Sequence, residues 1–499
     1  MKASQRVMKN AAWGVLSGVL GGGLQFLSVI VVARDLDVGV FGTYNYLLAF
    51  AILFQFLADF GLVNILVREI ARSPEDVKHL LASAKGLMWL LFLCFLPVLA
   101  IAALLQDTPG DVKAQSFVMG IASLTLLQGV SYAAVLRAFE DMEFNSIGFI
   151  LHKFALLGFT LVSLRLHWSI WGLVFANLAA NLLLWFYYSQ VVGWRFRLWV
   201  SLQRDIRLWK TMIGEAIPLG GGLLLRQIGW QLDSLLLYWL ADSYSAGLFG
   251  GPYRLLLAVR LLSMILVLPL YPSLVRLAKT SLAEFSSSYQ QALKWLICLS
   301  APGAVLFVFA PDAVVRSVLG AKFIASTPAL QWFGVAFVPM FVSALFPYVY
   351  TALGRQRVFF LVTGVTLVFR LGLELWLIPK FGYMSACIIA SWCEVLPFGV
   401  FILVLGWEGI AASMMDSFLK PLIAALAMGG TIYLGQTYFG ETGQLVPRLL
   451  TFVVSGIVYL AILFGTRCFS KGELAAAKEA LNFLGPYFRS LRKAGTHER

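Results

Sequence analysis

Apolar runs of about twenty residues, separated by short polar breaks, repeat along the whole chain. A bilayer-spanning helix needs about 20 predominantly apolar residues. Stretches of that kind lie at 11–33, 38–58, 86–106, 114–136, 144–164, 166–194, 216–241, 243–275, 295–311, 323–354, 358–379, 381–407, 421–440 and 449–466. Numbered 1 to 14, they predict an all-α polytopic membrane protein with fourteen transmembrane helices. The first run has no convincing cleavage region, so it reads as a spanning helix and not as a leader.

An even number of spans puts both termini on one side. Of the 38 Lys and Arg residues, only Arg34, Lys113, Arg165, Arg316, Lys322, Lys380 and Arg448 fall in odd-numbered loops. Five more sit inside stretches, and the rest lie at the termini and in even-numbered loops. Positive charge collects on the cytoplasmic side, so both termini are expected in the cytoplasm. The odd-side loops are short, which leaves no room there for a separate domain.

The glycine pattern repeats. Val38-Gly-Val-Phe-Gly42 opens stretch 2, and Ala246-Gly-Leu-Phe-Gly250 opens stretch 8. A Gly-Gly-Gly-Leu run occurs at 21–24 in stretch 1 and at 220–223 in stretch 7. Stretches 1–2 thus resemble stretches 7–8, six helices apart. An even separation gives repeats of the same orientation, related by a pseudo-two-fold axis along the membrane normal. The predicted units are an N-lobe at 1–205 (stretches 1–6), a C-lobe at 206–410 (stretches 7–12), an added pair at 411–470 and a cytoplasmic tail at 471–499. The tail from Lys471 to Leu484 reads as an amphipathic helix stopped by Pro486.

Composition agrees with this reading and excludes others. The chain of 499 residues is 60% hydrophobic and 13% charged, and its mean hydropathy is +0.83. A soluble protein this apolar has too little polar surface to cover itself. The net charge of +13 would suggest nucleic acid in a soluble chain, but here it follows topology, and no nucleic-acid motif accompanies it. Five cysteines form no CxxC pair, and the four histidines, His79, His152, His167 and His497, are scattered. No metal site, phosphate loop or nucleophile elbow is present, so no cofactor is expected and the chain is read as a non-enzyme.

Charges inside the spans carry the chemistry. A charge at the bilayer centre costs about 2.5–3.5 kcal/mol on the translocon scale, so it faces a cavity or a partner. The set is Lys153, Arg226, Asp233, Arg254, Arg260, Arg370, Glu374 and Glu394. Positive charges exceed negative by two. Arg226, Trp230 and Asp233 share one helical face at i, i+4 and i+7. Arg254 and Arg260 lie on stretch 8, and Tyr46 occupies the equivalent region of stretch 2. Arg370 and Glu374 at i, i+4 can simply pair with each other, and Arg226 with Asp233 can form a structural ion pair. Guanidinium forks suit phosphate oxygens. The candidate substrate-binding residues are therefore Arg226, Arg254, Arg260, Lys153, Tyr46 and Trp230. Asp233 and Glu394 are candidates for carrying a coupling proton.

Several segments resemble the Wzx-type polysaccharide flippases. Ala33-Arg-Asp-Leu-Asp-Val-Gly-Val-Phe-Gly-Thr-Tyr44, Ala58-Asp-Phe-Gly-Leu62 and Arg68-Glu69 resemble the start of that family. Ala216-Ile-Pro-Leu-Gly220 with Asp233, Ala246-Gly-Leu-Phe-Gly250, Tyr253-Arg254 and Tyr271-Pro-Ser273 resemble its helices 7 and 8. Thr351-Ala-Leu-Gly-Arg355, Leu377-Ile-Pro-Lys-Phe-Gly382, Ser391 and Glu394 resemble helices 10 to 12, with Tyr383-Met384 replacing the usual small pair. The family belongs to a superfamily with the multidrug exporters and the peptidoglycan-precursor flippases. The resemblance implies a two-lobed bundle with a central cavity lined by helices 1, 2, 7 and 8. It also implies a polyprenyl-pyrophosphate-linked oligosaccharide as substrate, moved outward across a bacterial inner membrane by alternating access for lipopolysaccharide or exopolysaccharide synthesis. Implied partners are membrane lipid, a polysaccharide polymerase and other assembly proteins, with no nucleic acid. The alternatives are a multidrug or metabolite exporter of the same superfamily and a peptidoglycan-precursor flippase.

Overall fold

The structure, a computed structural model, describes residues 3–199, 202–410, 415–439 and 445–469. Each apolar stretch lies on helix. The long helices are α1 (Ala3–Asp35), α2 (Val38–Asp59), α3 (Val77–Leu104), α4 (Gly110–Ala138), α5 (Met142–Arg165), α6 (Ser169–Phe196) and α7 (Ile206–Leu240). They continue with α8 (Ser243–Thr280), α9 (Leu282–Phe309), α10 (Thr327–Val342), α11 (Gln356–Phe381), α12 (Tyr383–Trp407), α13 (Lys420–Phe439) and α14 (Leu445–Gly465). Among the described residues, eleven helical segments are long and apolar enough to cross a bilayer on length and hydropathy alone. α7 and α8 are 35 and 38 residues long, about 50–57 Å at 1.5 Å per residue, and carry the buried Asp233 and Arg260. The expected tail helix at 471–484 lies outside the described residues.

Helix ends follow local chemistry. Asp205 caps α7 by accepting from the Leu208 N–H, Asp242 caps α8 through the Ser245 N–H, and Ser281 caps α9 through the Glu284 N–H. Each oxygen satisfies one N–H that the first helical turn leaves free. Stretch 10, expected as one run from 323 to 354, is divided. A 3₁₀ turn covers Ala321–Ser326, α10 follows, and a second short helix covers Phe346–Ala352. Pro347 lies in the first turn of that short helix. A proline there would clash with the Ser343 carbonyl four residues back in a continuous helix, so the chain breaks at 343–345, where the Ser343 hydroxyl donates to the Met340 carbonyl.

Two turns meet at one end of the bundle. A Cβ at Gly42 would overlap the Ser243 carbonyl, and one at Gly247 would overlap the Val38 carbonyl. The two related glycine motifs thus pack against each other, letting the α2 and α8 backbones nearly touch. The same end joins the α1–α2 turn to the α9–α10 connection. Arg34 donates to the carbonyls of Ser317 and Val318. Lys322 Nζ lies 3.1 Å from the Asp37 carboxylate and donates to the Asp35 carbonyl at 3.2 Å. Phe41 meets Phe323 edge-on at 5.3 Å.

The opposite end carries the linker into α7. Gln203 N–H donates to the Ala82 carbonyl, His79 lies within hydrogen-bond distance of Gln203 and Asp205, and Trp209 Nε1 donates to the Ser83 carbonyl. The linker is thereby pinned along the first turns of α3. A short helix, Leu62–Arg72, follows α2, and its Arg68 pairs with Glu215 of α7. α13 and α14 form a small separate core against α9, built on Val305, Met428 and Tyr459.

Candidate functional site

A cavity of about 90 Å³ lies between α7, α11, α12 and the break after α10. α7 contributes Arg226, Gly229 and Trp230. α11 contributes Thr363, Thr366 and Arg370, and α12 contributes Cys393 and Glu394. Ser343 closes the wall from the break. Thr363, Thr366 and Arg370 recur at i, i+3 and i+7, so one stripe of α11 supplies the wall's polar groups. The resemblance implied a cavity lined by helices 1, 2, 7 and 8; this cavity uses α7 with α11 and α12.

Arg226 and Arg260 converge on one ring. The Arg226 guanidinium carbon lies 4.7 Å from the Trp230 ring centre, and that of Arg260 lies 4.0 Å from it. Arg260 comes from α8 and is buried, and its Nε has no hydrogen-bond partner. Among the described residues, no carboxylate lies within ion-pair distance of either guanidinium. Glu394 is the acid whose field reaches both, and its Oε2 accepts from Ser343 Oγ at 3.3 Å. A guanidinium held on an aromatic face keeps its in-plane N–H donors for another acceptor.

Asp233 does not pair with Arg226 across the shared face of α7. Arg370 Nε donates to Asp233 Oδ1 at 3.0 Å, and Nη2 bonds Asp233 Oδ2. The same Nε donates to Glu374 Oε1 at 2.9 Å. Both carboxylates are fully buried. Asp233 and Arg370 are 137 residues apart, and no spacing rule links them. The part Arg370 plays in the wall did leave a signal, in the polar stripe of α11.

The remaining candidates lie elsewhere. Arg254 Nε donates to Asn45 Oδ1, and Asn45 Nδ2 donates to Ser234 Oγ at 2.9 Å, so Arg254 ties α8 to α2 and α7. Tyr46 is fully buried, stacks on Tyr238 at 4.2 Å and accepts from Trp239 Nε1 at 3.1 Å. Lys153 donates to Gln25 Oε1 at 2.8 Å between α5 and α1. The structure therefore brings Arg226, Trp230, Arg260, Glu394 and Asp233 together and leaves Lys153, Arg254 and Tyr46 in helix–helix contacts. With Lys153 and Arg254 removed, three arginines face three carboxylates around the cavity. The expected surplus of positive charge is replaced by segregation, with Arg226 and Arg260 on one side and the two acids of the Arg370 group on the other.

Residues 7–278 match the family described as polysaccharide biosynthesis protein. Lipopolysaccharide biosynthesis protein WzxC of Escherichia coli (strain K12) is 23% identical over 352 residues, covering 66% of this chain and 67% of that protein. Among solved structures, lipid II flippase MurJ in an inward closed conformation superposes with a TM-score of 0.74 at 14% identity, over 92% of this chain and 99% of that one. The multidrug transporter DinF-BH in complex with R6G superposes with a TM-score of 0.61 at 14% identity, over 82% of this chain and 96% of that one.

Proposed function

Because the chain belongs to the polysaccharide biosynthesis protein family, we propose that it is a flippase that moves a polyprenyl-pyrophosphate-linked oligosaccharide from the cytoplasmic to the outer face of the bacterial inner membrane. The match to a lipopolysaccharide biosynthesis protein supports this substrate class. The observation that carries it is the pair of guanidiniums on Trp230. Arg226 and Arg260 are held by an aromatic ring with no carboxylate among the described residues in contact, beside a cavity lined by α7, α11 and α12. That leaves planar, paired donors unspent, the arrangement a phosphate group takes up.

In this reading all fourteen helices span, both termini are cytoplasmic, and two six-helix lobes, related by a pseudo-two-fold axis along the membrane normal, rock against each other in alternating access. Arg226 and Arg260 receive the pyrophosphate. The lipid tail stays in the bilayer, and the delivered sugar passes to a polymerase and other assembly proteins. Neither the family nor the site calls for bond-breaking chemistry, so the drive is an ion gradient or the membrane potential.

The test is reconstitution. The purified protein is placed in liposomes with a fluorescent polyprenyl-pyrophosphate oligosaccharide, and access of an external quencher is followed. The expected result is transport by the wild type and at least a tenfold loss in R226Q/R260Q with normal expression. Unchanged transport in that variant would sink the phosphate role. Efflux of cationic dyes without sugar-lipid transport would favour the multidrug exporter instead.

A further inference from the structure

Two carboxylates compete for one N–H of Arg370, a residue of the cavity wall. Arg370 Nε lies 3.0 Å from Asp233 Oδ1 and 2.9 Å from Glu374 Oε1, and Nη2 also bonds Asp233. Glu374 Oε2 is buried and, among the described residues, has no hydrogen-bond partner. The other titratable groups facing the trio are Tyr253 from α8 and Cys387 and Cys393 from α12. None of them is a cation. Arg226 and Arg260, the next positive charges, belong to the Trp230 group and face Glu394.

The trio is therefore one positive charge short and one donor short. With both acids ionised it holds a net negative charge on two fully buried carboxylates, and an unsatisfied carboxylate oxygen adds to the cost. Like charges crowded into a dry site favour a proton held between them. A single proton supplies both the missing charge and the missing donor. We propose that Asp233 and Glu374 hold one proton between them at neutral pH, and that this is a proton-binding site linked to the cavity through Arg370.

The link is geometric. Arg370 belongs both to the acidic pair and to the cavity wall. An anion entering the cavity competes with Asp233 and Glu374 for the guanidinium. As that charge is drawn toward the anion, the pair holds its proton more tightly. By reciprocity, loss of the proton returns Arg370 to the pair and loosens the anion. Only this coupling step rests on the flippase reading; the shared proton stands on the geometry of the trio.

The measurement is infrared spectroscopy of the full-length protein in lipid at neutral pH. The wild type is expected to show the carbonyl stretch of a protonated carboxylic acid, shifted by deuterium exchange. The band should vanish in both E374Q and D233N, because each leaves one carboxylate for one guanidinium. E374Q, which places a neutral amide where the proton is held, should melt like the wild type. Absence of the band in the wild type, its survival in both variants, or a much lower melting temperature for E374Q would overturn the shared proton. In liposomes E374Q should lose the response of sugar-lipid flipping to a pH gradient that the wild type shows. A wild type that flips no sugar lipid would count against the flippase reading, while the spectrum would still decide the proton.

Discussion

Trp230 holds together two charges that repel. Its ring lies under both guanidiniums, at 4.7 and 4.0 Å. Each such contact is worth about 0.5–1 kcal/mol at an exposed site and about 2 when desolvated. W230A removes both contacts and lets Arg226 and Arg260 move apart. The concentration of sugar lipid needed for half-maximal flipping should rise about tenfold, equivalent to about 1.4 kcal/mol of binding. W230F keeps a weaker π face and should fall between the two. Initial flipping rates against substrate concentration in liposomes check this, and an unchanged half-saturation would remove Trp230 from the site. Legibility at this scale was uneven. Arg226 and Trp230 sit one turn apart, so their contact could be read from spacing. Asp233 lies on that same face yet turns to Arg370 on α11, because the partner of a buried charge is chosen by which helix packs alongside.

At the scale of elements, the chain announces its helices through charge punctuation, and the repeated glycine motifs announce where two of them touch. Apolar runs mark the lipid-facing part of each helix and understate its length. Stretch 9 was read as starting at 295, while α9 begins at Leu282 because the Ser281 cap and a polar first turn carry the helix past the apolar segment. The division of stretch 10 was hidden because its residues stay apolar across the break, with Pro347 as the local sign. The Gly42–Gly247 crossing gives a direct check on the glycines. A Cβ at Gly247 meets the Val38 backbone, which cannot rotate away as a side chain can. G247A should force α2 and α8 apart at a cost of about 1–3 kcal/mol, the usual range for overpacking. The melting temperature in detergent is expected to fall by several degrees. An equal melting temperature would mean that the two backbones are not held at that distance.

At the scale of the whole molecule, the contacts at the two ends differ in kind. One end is joined by the glycine crossing, the Arg34 bonds to Ser317 and Val318, and the Lys322–Asp37 pair. Across the linker end, Arg68 of the short helix pairs with Glu215 of α7. The α1–α2 turn and the α9–α10 connection belong to opposite halves of the chain, so the proposed rocking would part them. Exposed ion pairs contribute about 0–1 kcal/mol each, and the Lys322 and Asp37 side chains are 47% and 81% exposed. The ion pair is thus the weakest of the contacts that the proposed cycle would open at this end, beside the glycine crossing and the buried Phe41–Phe323 pair. Joining the two sides covalently should therefore stop transport without disturbing the fold. In a chain with Cys94 replaced by Ala, D37C/K322C treated with a short bis-maleimide should lose at least tenfold of its flipping rate. Each single cysteine variant treated in the same way should keep its rate, since removing one exposed pair changes little. Full transport by the cross-linked protein would mean that these two turns stay together throughout the cycle and that passage opens elsewhere in the bundle.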